Sequence, residues 1–279
     1  MPRPQNTLIH PSAVIAPEAQ LAEDVRVGPF AVIEGPVVVG PGTVIHPHAH
    51  LMGLVTLGAN NTIGSGAVIG GAPQHLAYQG EPTTVVIGDG NIFREHTTVH
   101  RGMPAGAGPG TGVTRIGNRN LFMAGSHAAH DCVIGNDCLF ANNAALGGHV
   151  EVGDRALISG NSAVHQFCRV GRLALLSGAS ATSKDMPPFW VMQDVNGVRG
   201  INTIGMRRAG MMATEIQAVR KAFAFIYADH HPIPAALLRM EAELGHIAAV
   251  REIVAFIRSS KRGICGAHRF NADEEAAAA

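Results

Sequence analysis

The chain has 279 residues, enough for one large core or for a long repeat domain with a smaller second domain. Lysine plus arginine equals aspartate plus glutamate at 21 each, so no net charge favours nucleic acid or a membrane surface. Glycine is frequent at 34 residues and aromatic residues make up only 5%, which predicts many tight turns and a core of small aliphatic side chains.

The cysteines and the termini point to a cytoplasmic protein. The four cysteines form no CxxC pair and no regular framework, which is typical of reduced thiols. The first ten residues hold no apolar run of signal-peptide length, and no stretch is long and apolar enough to span a bilayer. We therefore expect cytoplasmic localisation, no stable membrane insertion and no nucleic-acid partner.

Apolar residues recur at every sixth position along most of the chain. The first run comprises Ile9, Ile15, Leu21, Val27, Ile33, Val39, Ile45, Leu51, Leu57, Ile63 and Ile69. The pattern resumes at Ile87, Phe93 and Val99, and again at Ile116, Phe122, Ala128, Ile134, Phe140, Leu146, Val152, Ile158, Val164, Val170 and Leu176. A period of six fits neither an amphipathic helix nor strand alternation, but it is the signature of a hexapeptide β-helix.

In such a fold each six-residue unit makes one short strand and one turn, and three units close a triangular coil. The apolar residue points into the prism, where a buried Val, Leu or Ile contributes about 1.5–3 kcal/mol. Hexapeptide prisms coil left-handed, which is known of the fold and is not encoded in the period. Glycine often follows the apolar position, as in Val27-Gly28 and Val39-Gly40, and we expect it to relieve the backbone at the corner.

Two interruptions and a change of period divide the chain. Loops are expected near 71–84 and 102–114, the second being rich in glycine and proline. The six-residue pattern stops near Asp185, and helical patterns follow from Met206. The sequence therefore predicts an all-β left-handed parallel β-helix over 1–190, an α-helical C-terminal domain of about three helices over 191–265, and a disordered tail over 266–279.

Four histidines cluster in the second half of the prism: His127, His130, His149 and His165. Because one coil is about eighteen residues, His130 and His149 lie on neighbouring coils near the same edge. Flat prism faces cannot enclose a substrate alone, so we expect a homotrimer with sites in the clefts between subunits.

The histidine row suggests general base catalysis. A neutral imidazole at His130 can remove a proton, and Asp131 can hold its tautomer. The backbone N–H of Gly148, which precedes His149, can face a developing oxyanion. One alternative is a zinc site of three histidines, as in the trimeric gamma carbonic anhydrases. Another is a set of solvent-facing turn residues, although four histidines in fifty residues favour a function. Cys132 is better explained as a small buried side chain than as a nucleophile.

Four segments in phase with the repeat resemble a known family. They span 96–102, 126–132, 141–150 and 163–168 and read HTTVHRG, SHAAHDC, ANNAALGGHV and AVHQFC. Together with the Asp-x-Pro-Pro exit from the prism and the helical C-terminus, they resemble the UDP-N-acetylglucosamine O-acyltransferases, which perform the first step of lipid A synthesis. The HAAHD and AVHQF motifs make this resemblance specific, whereas hexapeptides alone would not.

The resemblance implies that an acyl carrier protein delivers an (R)-3-hydroxyacyl chain to the 3-hydroxyl of the UDP-amino sugar, with no cofactor. The matching catalytic positions are His130 as base, Asp131 as its partner and Gly148 as oxyanion donor. The matching substrate-binding positions are Gln74, His127, His149, His165, Gln166, Gly178 as a ruler of acyl length, Asn202 and Arg208. No metal ligand is implied.

Three positions depart from the family pattern and leave the acceptor open. His75 and Ala77 stand where a carboxylate and an ammonium are usual, and Ala209 stands where an arginine is frequent. The 102–114 segment is also longer than usual. One alternative is the same chemistry on a UDP 2,3-diamino sugar, which would give an amide. Another is a non-catalytic nucleotide-sugar-binding protein, against which the retention of His130, Asp131 and Gly148 argues.

Overall fold

Short strands and turns alternate from Val14 to Thr182 in the computed structural model, which describes residues 8–106, 108–229 and 232–267. Each strand of this part pairs in parallel with the strand three elements later, so every third strand joins the same sheet. In regular coils the paired residues are 18 apart, as Val14 and Val32 are. Three flat parallel sheets form the faces of a left-handed β-helix, which confirms the fold predicted from the six-residue period.

The strands fall into three sheets within the described residues. The nine-stranded sheet contains β1 Val14–Ile15, β4 Val32–Glu34, β7 His50–Met52, β10 Val68–Gly71, β13 Thr98–His100, β16 His127–Ala128, β19 Ala145–Leu146, β22 Ala163–Val164 and β25 Ala181–Thr182. The eight-stranded sheet contains β2 Gln20–Leu21, β5 Val38–Val39, β8 Leu54–Leu57, β11 Thr84–Ile87, β14 Val113–Ile116, β17 Val133–Ile134, β20 Glu151–Val152 and β23 Arg169–Val170. The eleven-stranded sheet contains β3 Arg26–Val27, β6 Val44–Ile45, β9 Thr62–Ile63, β12 Ile92–Phe93, β15 Leu121–Phe122, β18 Leu139–Phe140, β21 Leu157–Ile158, β24 Leu175–Leu176, β26 Trp190–Gln193, β27 Gly197–Ile201 and β28 Gly266–Ala267.

The apolar residues of the six-residue period line the inside of the prism. Ile33, Ile63 and Leu176 are fully buried. Ile9 is 43% exposed, because among the described residues the first turn has a neighbouring coil on one side only. The period therefore identifies the core directly, and burial weakens only where the coil stack begins.

The glycines that follow the apolar positions have a different role from the one expected. Gly28 and Gly40 are not in the left-handed region. A Cβ at Gly40 would lie 2.6 Å from the carbonyl carbon of Gly58, and one at Gly28 would lie 2.8 Å from the nitrogen of Pro47. These glycines let neighbouring coils approach closely. The left-handed corner residues come two positions later, as Phe30 does with φ 59°.

Two insertions leave the prism between strands. The first, 72–83, keeps the six-residue phase, since Val68 pairs with Thr98, 30 residues on. The second, 101–112, shifts the phase by one, since Thr98 pairs with His127, 29 residues on. Both insertions leave the nine-stranded sheet at the same edge, one coil apart, so two loops stand beside each other there.

Beyond β25 the chain adds a hairpin and helices. β26 continues the eleven-stranded sheet beside β24, and β27 pairs with it in antiparallel fashion. The described helices are α1 Thr203–Arg208, α2 Ala213–Tyr227, α3 Ile233–Leu244 and α4 Ala248–Arg258. The sequence predicted about three helices; α1 is too short to show an amphipathic period. The domain division at 190 stays a prediction. The first two residues of the expected tail, Gly266 and Ala267, form β28 and pair with β27, and the rest of that tail lies outside the described residues.

Ion pairs and hydrogen bonds fasten the helices to the last coils. Arg172 pairs with Glu252 at 2.8 Å, and Arg169 donates to the carbonyl of Phe256 at 2.8 Å. The Tyr227 hydroxyl donates to the carbonyl of Cys265 at 2.6 Å. Among the described helices, none combines the length and apolar character needed to cross a bilayer.

Candidate active site

One edge of the prism, which we call the His130 edge, joins the nine-stranded to the eight-stranded sheet. Asp131, His149 and Phe167 occupy the same corner of three successive coils, with φ of 60°, 61° and 64°. Aspartate and histidine are among the residues that tolerate this left-handed conformation best. The rings of His149 and Phe167 stack with centroids 4.5 Å apart. The repeat thus places chemically active side chains in a row along one edge.

His130 precedes this corner and points one ring nitrogen at the carboxylate beside it. Its Nδ1 lies 2.7 Å from Oδ2 of Asp131, and both side chains are buried. Because an ionised carboxylate only accepts hydrogen bonds, Nδ1 carries the proton and Nε2 is the basic nitrogen. The pair therefore leaves Nε2 of His130 without a hydrogen-bond partner among the described residues.

Gly148 lies one coil beyond His130 and directly against its ring. A Cβ at this position would lie 2.5 Å from Cε1 and 2.6 Å from Nε2 of His130. Only glycine leaves room for the imidazole there. Within the described part of the chain the Gly148 N–H donates to no acceptor, so this buried residue offers a free backbone donor beside the base.

Four hydrogen bonds hold the carboxylate of Asp131. Oδ2 accepts from the Met103 N–H at 2.9 Å as well as from His130, and Oδ1 accepts from the N–H and the hydroxyl of Thr111, both at 2.7 Å. Burial alone would raise the pKa of Asp131, but these donors outweigh it and lower the pKa to about 2. Asp131 is therefore a fixed anion at neutral pH.

Three further imidazoles surround the pair and are neutral at neutral pH. Burial, reinforced by His127, His130 and Arg101, lowers the pKa of His100 to about 4. Burial also lowers the pKa of His127, whose Nδ1 lies 2.7 Å from the Thr98 hydroxyl. Burial lowers the pKa of His149, although the nearby Asp131 opposes this. Neutral rings can both donate and accept hydrogen bonds around a polar ligand.

The 72–83 insertion brings another imidazole to the site. The His75 ring meets that of His130 edge-on with centroids 5.6 Å apart. The Tyr78 hydroxyl accepts from Arg101 at 2.8 Å, and Arg101 also donates to the carbonyl of Gly70 at 2.7 Å. These bonds tie the loop to the prism. Gln74 and Ala77, on either side of His75, are exposed.

His165 and Gln166 lie on the next coil along the His130 edge, and both are exposed. Gln166 is 18 residues beyond Gly148 and occupies the equivalent position of its coil. The guanidinium of Arg262, from the segment after α4, approaches Nδ1 of His165 at 3.1 Å and also donates to the Ser183 carbonyl. The C-terminal segment thereby reaches the row of predicted substrate-binding residues.

Two of the remaining predicted residues, Gly178 and Asn202, lie at the other two edges of the prism, and Arg208 lies in α1. Gly178 occupies the corner between the eleven-stranded and nine-stranded sheets, next to Ala179 with φ 57°. The side-chain amide of Asn202 donates to the carbonyl of Leu173, on the third edge, and its oxygen caps α1 by accepting from the Gly205 N–H. Arg208 is exposed in the last turn of α1. One chain therefore does not bring Gly178 or Asn202 to the edge that carries His130.

Two alternative chemistries have structural obstacles. The donor atoms of His130, Asp131 and His149 lie within 4.8 Å of one another, close enough to consider a cation. Both carboxylate oxygens already accept protein hydrogen bonds, however, so a cation bound there would displace His130 or the loop donors. Burial raises the pKa of the Cys132 thiol to about 12, which leaves it protonated at neutral pH.

Sequence reasoning missed several residues of this cluster. His100 is buried against His127, with ring centroids 4.7 Å apart. It lies one coil before His127, but the 101–112 insertion separates the two in sequence, so that a count of eighteen residues does not relate them. Thr111 lies in an irregular glycine-rich loop, where no period marks a residue. The sequence could have identified His100, because it directly follows Val99, an apolar residue of the six-residue pattern.

Comparisons with known proteins show which families the chain resembles. Residues 185–265 match the family model "Udp N-acetylglucosamine O-acyltransferase; Domain 2", and residues 36–71 and 114–148 match "Bacterial transferase hexapeptide (six repeats)". The acyl-[acyl-carrier-protein]–UDP-N-acetylglucosamine O-acyltransferases of Halorhodospira halophila and Saccharophagus degradans are each 45% identical over 259 residues, covering 92% of this chain and 99% of theirs.

Solved structures give the same result. The UDP-N-acetylglucosamine acyltransferase of Bacteroides fragilis superposes with a TM-score of 0.87 at 40% identity, over 91% of this chain and 98% of that one. The Acinetobacter baumannii protein superposes with a TM-score of 0.87 at 37% identity, over 92% and 99%. The sequence likeness spans both the prism and the helices, and the chain belongs to the UDP-N-acetylglucosamine O-acyltransferase family.

Proposed function

We propose that this protein transfers an (R)-3-hydroxyacyl chain from acyl carrier protein to the 3-position of UDP-N-acetylglucosamine, the first step of lipid A synthesis. The observation that carries the proposal is the buried His130–Asp131 pair with its free Nε2 beside the unpaired N–H of Gly148. A base and an oxyanion donor side by side suffice for direct acyl transfer. We retain the cytoplasmic location that the sequence predicts.

In this mechanism Nε2 of His130 takes the proton of the sugar 3-hydroxyl as its oxygen attacks the thioester carbonyl. The carbonyl becomes an oxyanion that accepts a hydrogen bond from the Gly148 N–H. Collapse of this intermediate breaks the carbon–sulfur bond, and the imidazolium returns its proton to the departing thiolate. Asp131 stabilises the imidazolium through Nδ1. A positioned base contributes about 10²–10⁴ and an oxyanion donor about 10²–10³ in rate.

The residues around the base bind the substrates in this proposal. His127, His149, His165 and Gln166 contact the sugar, its diphosphate and the acyl chain. His127 and His149 are held neutral by burial, so they form hydrogen bonds with the sugar without adding positive charge beside the base. Gly178 leaves room for a long acyl chain, since a Cβ there would meet only the Gly160 oxygen, at 3.7 Å.

A homotrimer accounts for the distribution of the predicted residues over three edges of one prism. Packing three prisms side by side places the His130 edge of one subunit against a different edge of its neighbour. Gly178 and Arg208 of the neighbour then join a site that a single chain does not assemble. In this arrangement the complete substrate cleft lies between two subunits and not within one chain.

Mixing inactive variants tests the shared site. His130→Ala and Arg208→Ala subunits are each inactive or impaired alone, but co-expressed trimers regain sites in which both residues are intact. Random mixing predicts recovery of roughly a quarter of the sites. Light scattering gives the mass of the assembly. A monomeric mass, or no recovery in trimers shown to be mixed, contradicts the intersubunit site.

The acceptor itself needs a separate experiment, because His75 and Ala77 replace the usual charged residues beside the base. Purified protein is offered (R)-3-hydroxyacyl-carrier protein of several lengths with UDP-N-acetylglucosamine or, separately, its 3-amino analogue, and products are identified by mass. Ester formation on UDP-N-acetylglucosamine supports the proposal. Amide product alone favours the 2,3-diamino sugar, and no product from either favours a nucleotide-sugar-binding protein.

A further inference from the structure

The two ends of the 101–112 insertion, described over 101–106 and 108–112, lie against each other beside the Asp131 carboxylate. The Gly112 N–H donates to the carbonyl of Met103 at 2.7 Å, and the Thr84 N–H donates to the carbonyl of Gly112 at 2.9 Å. A Cβ at Gly110 would lie 2.4 Å from the carbonyl oxygen of Pro104, and one at Gly102 would lie 2.2 Å from the nitrogen of Val113. Glycine at these positions permits the close backbone approach that fixes the position of Thr111.

Thr111 supplies the hydrogen bonds that hold one oxygen of the Asp131 carboxylate. Oδ1 accepts from both the N–H and the hydroxyl of Thr111, each at 2.7 Å. No other described residue donates to Oδ1, whereas Oδ2 is shared by His130 and the Met103 N–H. Thr111 therefore supplies two of the four hydrogen bonds that fix the rotation of the carboxylate.

The hydroxyl has one proton and two acceptors within reach. Oγ1 lies 2.7 Å from Oδ1 of Asp131 and 3.0 Å from the carbonyl of Val113. The shorter contact to the anion is the stronger bond, since charge-assisted hydrogen bonds are roughly twice as strong as neutral ones. The loop thus contributes a polar group to the site, although none of its described residues forms a hydrogen bond with the His130 side chain.

We propose that Thr111 is a positioning residue for the acyl transfer reaction, which acts by clamping the Asp131 carboxylate in the orientation that aligns His130. The inference rests on the proposed function of the His130–Asp131 pair. The 101–112 insertion is then part of the active site and not only a surface loop.

Thr111→Val, which removes the hydroxyl but preserves shape and N–H, tests the clamp. We expect kcat to fall about tenfold, because the lost hydrogen bond to Asp131 acts on the base. The KM for the acyl donor and the KM for the sugar each change less than about twofold, because that bond does not touch substrate. Thr111→Ser restores the hydroxyl and returns kcat to within about twofold of wild type. Thr214→Val, the same change on the exposed start of α2, is the matched control and leaves kcat unchanged. Thermal unfolding of all variants checks the fold.

A measurement without turnover separates this inference from the proposed function. Protein labelled with 13C at the aspartate carboxyls is titrated, and the Asp131 resonance is assigned by its loss in Asp131→Asn. Removing a donor from the ionised form raises the carboxyl pKa in Thr111→Val, and Thr111→Ser brings it back. This shift supports the clamp even if wild-type protein acylates neither acceptor.

Three results overturn the clamp. The first is an unchanged kcat in Thr111→Val. The second is a raised KM with unchanged kcat, which would mean that the loop binds substrate directly. The third is a loss that Thr111→Ser does not restore, because the methyl group rather than the hydroxyl would then be the part that matters.

Discussion

The imidazole of His130 fills the place where a side chain at Gly148 would lie. A Cβ on Gly148 would come within 2.6 Å of Nε2, the nitrogen that the proposed mechanism uses as base. The 18-residue coil creates this contact, because Gly148 follows His130 by one full turn of the prism. The base and the oxyanion donor therefore depend on each other sterically as well as chemically.

Gly148→Ala consequently lowers kcat by on the order of 10²–10³, because the added methyl pushes the His130 ring away and distorts the N–H donor. Steady-state kinetics with UDP-N-acetylglucosamine and acyl-carrier protein measure the loss. The control is Gly266→Ala, where an added Cβ meets nothing within 4 Å. Normal turnover in Gly148→Ala contradicts the close packing of base and donor.

Asp131→Asn weakens the fold in a pH-dependent way. The folded-state pKa of Asp131, about 2, lies below its ordinary value of 3.8, so its ionisation stabilises the fold above pH 4 and this contribution is lost as pH falls towards 2. We expect Asp131→Asn to be about 2 kcal/mol less stable at pH 6 and the gap to narrow at pH 3. Chemical denaturation at both pH values measures it, with Glu18→Gln as an exposed control. A gap that widens as pH falls has the wrong sign for this account.

Ala77→Lys tests the altered loop. Ala77 is exposed on the insertion that carries His75, so a lysine there adds a cation near the acceptor. We expect KM for one substrate to fall while kcat stays within about twofold, because the base is untouched. Separate titrations of donor and acceptor show which substrate gains. If neither KM moves, the replacement at this position is incidental.

Asn91→Ala tests the polar ladder inside the prism. Buried Asn61, Asn91 and Asn120 stand on successive coils; the Asn91 amide donates to Asn61 and to the carbonyl of Gly117, and its oxygen accepts from Asn120. Truncation leaves buried groups unpaired and costs about 3 kcal/mol in the free energy of unfolding. Asn142→Ala, at an exposed corner, is the control. Equal stability of the two variants would show that the ladder contributes little.

The six-residue period predicted the prism and its core, because every sixth residue must place an apolar side chain inside the prism. The coil length of about eighteen residues also predicted that His130 and His149 lie on neighbouring coils near the same edge. The period carries no information about residues outside it. The Thr111 clamp on Asp131 depends on the path of an irregular loop, and the capping role of Asn202 depends on how α1 meets the prism.

The same limit explains the glycines and the distant substrate residues. A glycine at a repeat corner suggests backbone freedom, yet Gly28 and Gly40 are required by the coil beneath them, which a single unit of sequence does not reveal. Gly178 lies at a different edge of the prism from His130 and Arg208 lies in α1, so their part in the site depends on the proposed trimer.

We propose that His130 is the base of an acyl transfer to UDP-N-acetylglucosamine. The most direct test is to compare the products of wild type and His130→Ala by mass. His246→Ala, an exposed histidine between α3 and α4, serves as control. We expect ester product from wild type and control, and a loss of about 10²–10⁴ in kcat for His130→Ala at a temperature where that variant is still folded. Turnover of His130→Ala close to that of wild type would contradict this proposal.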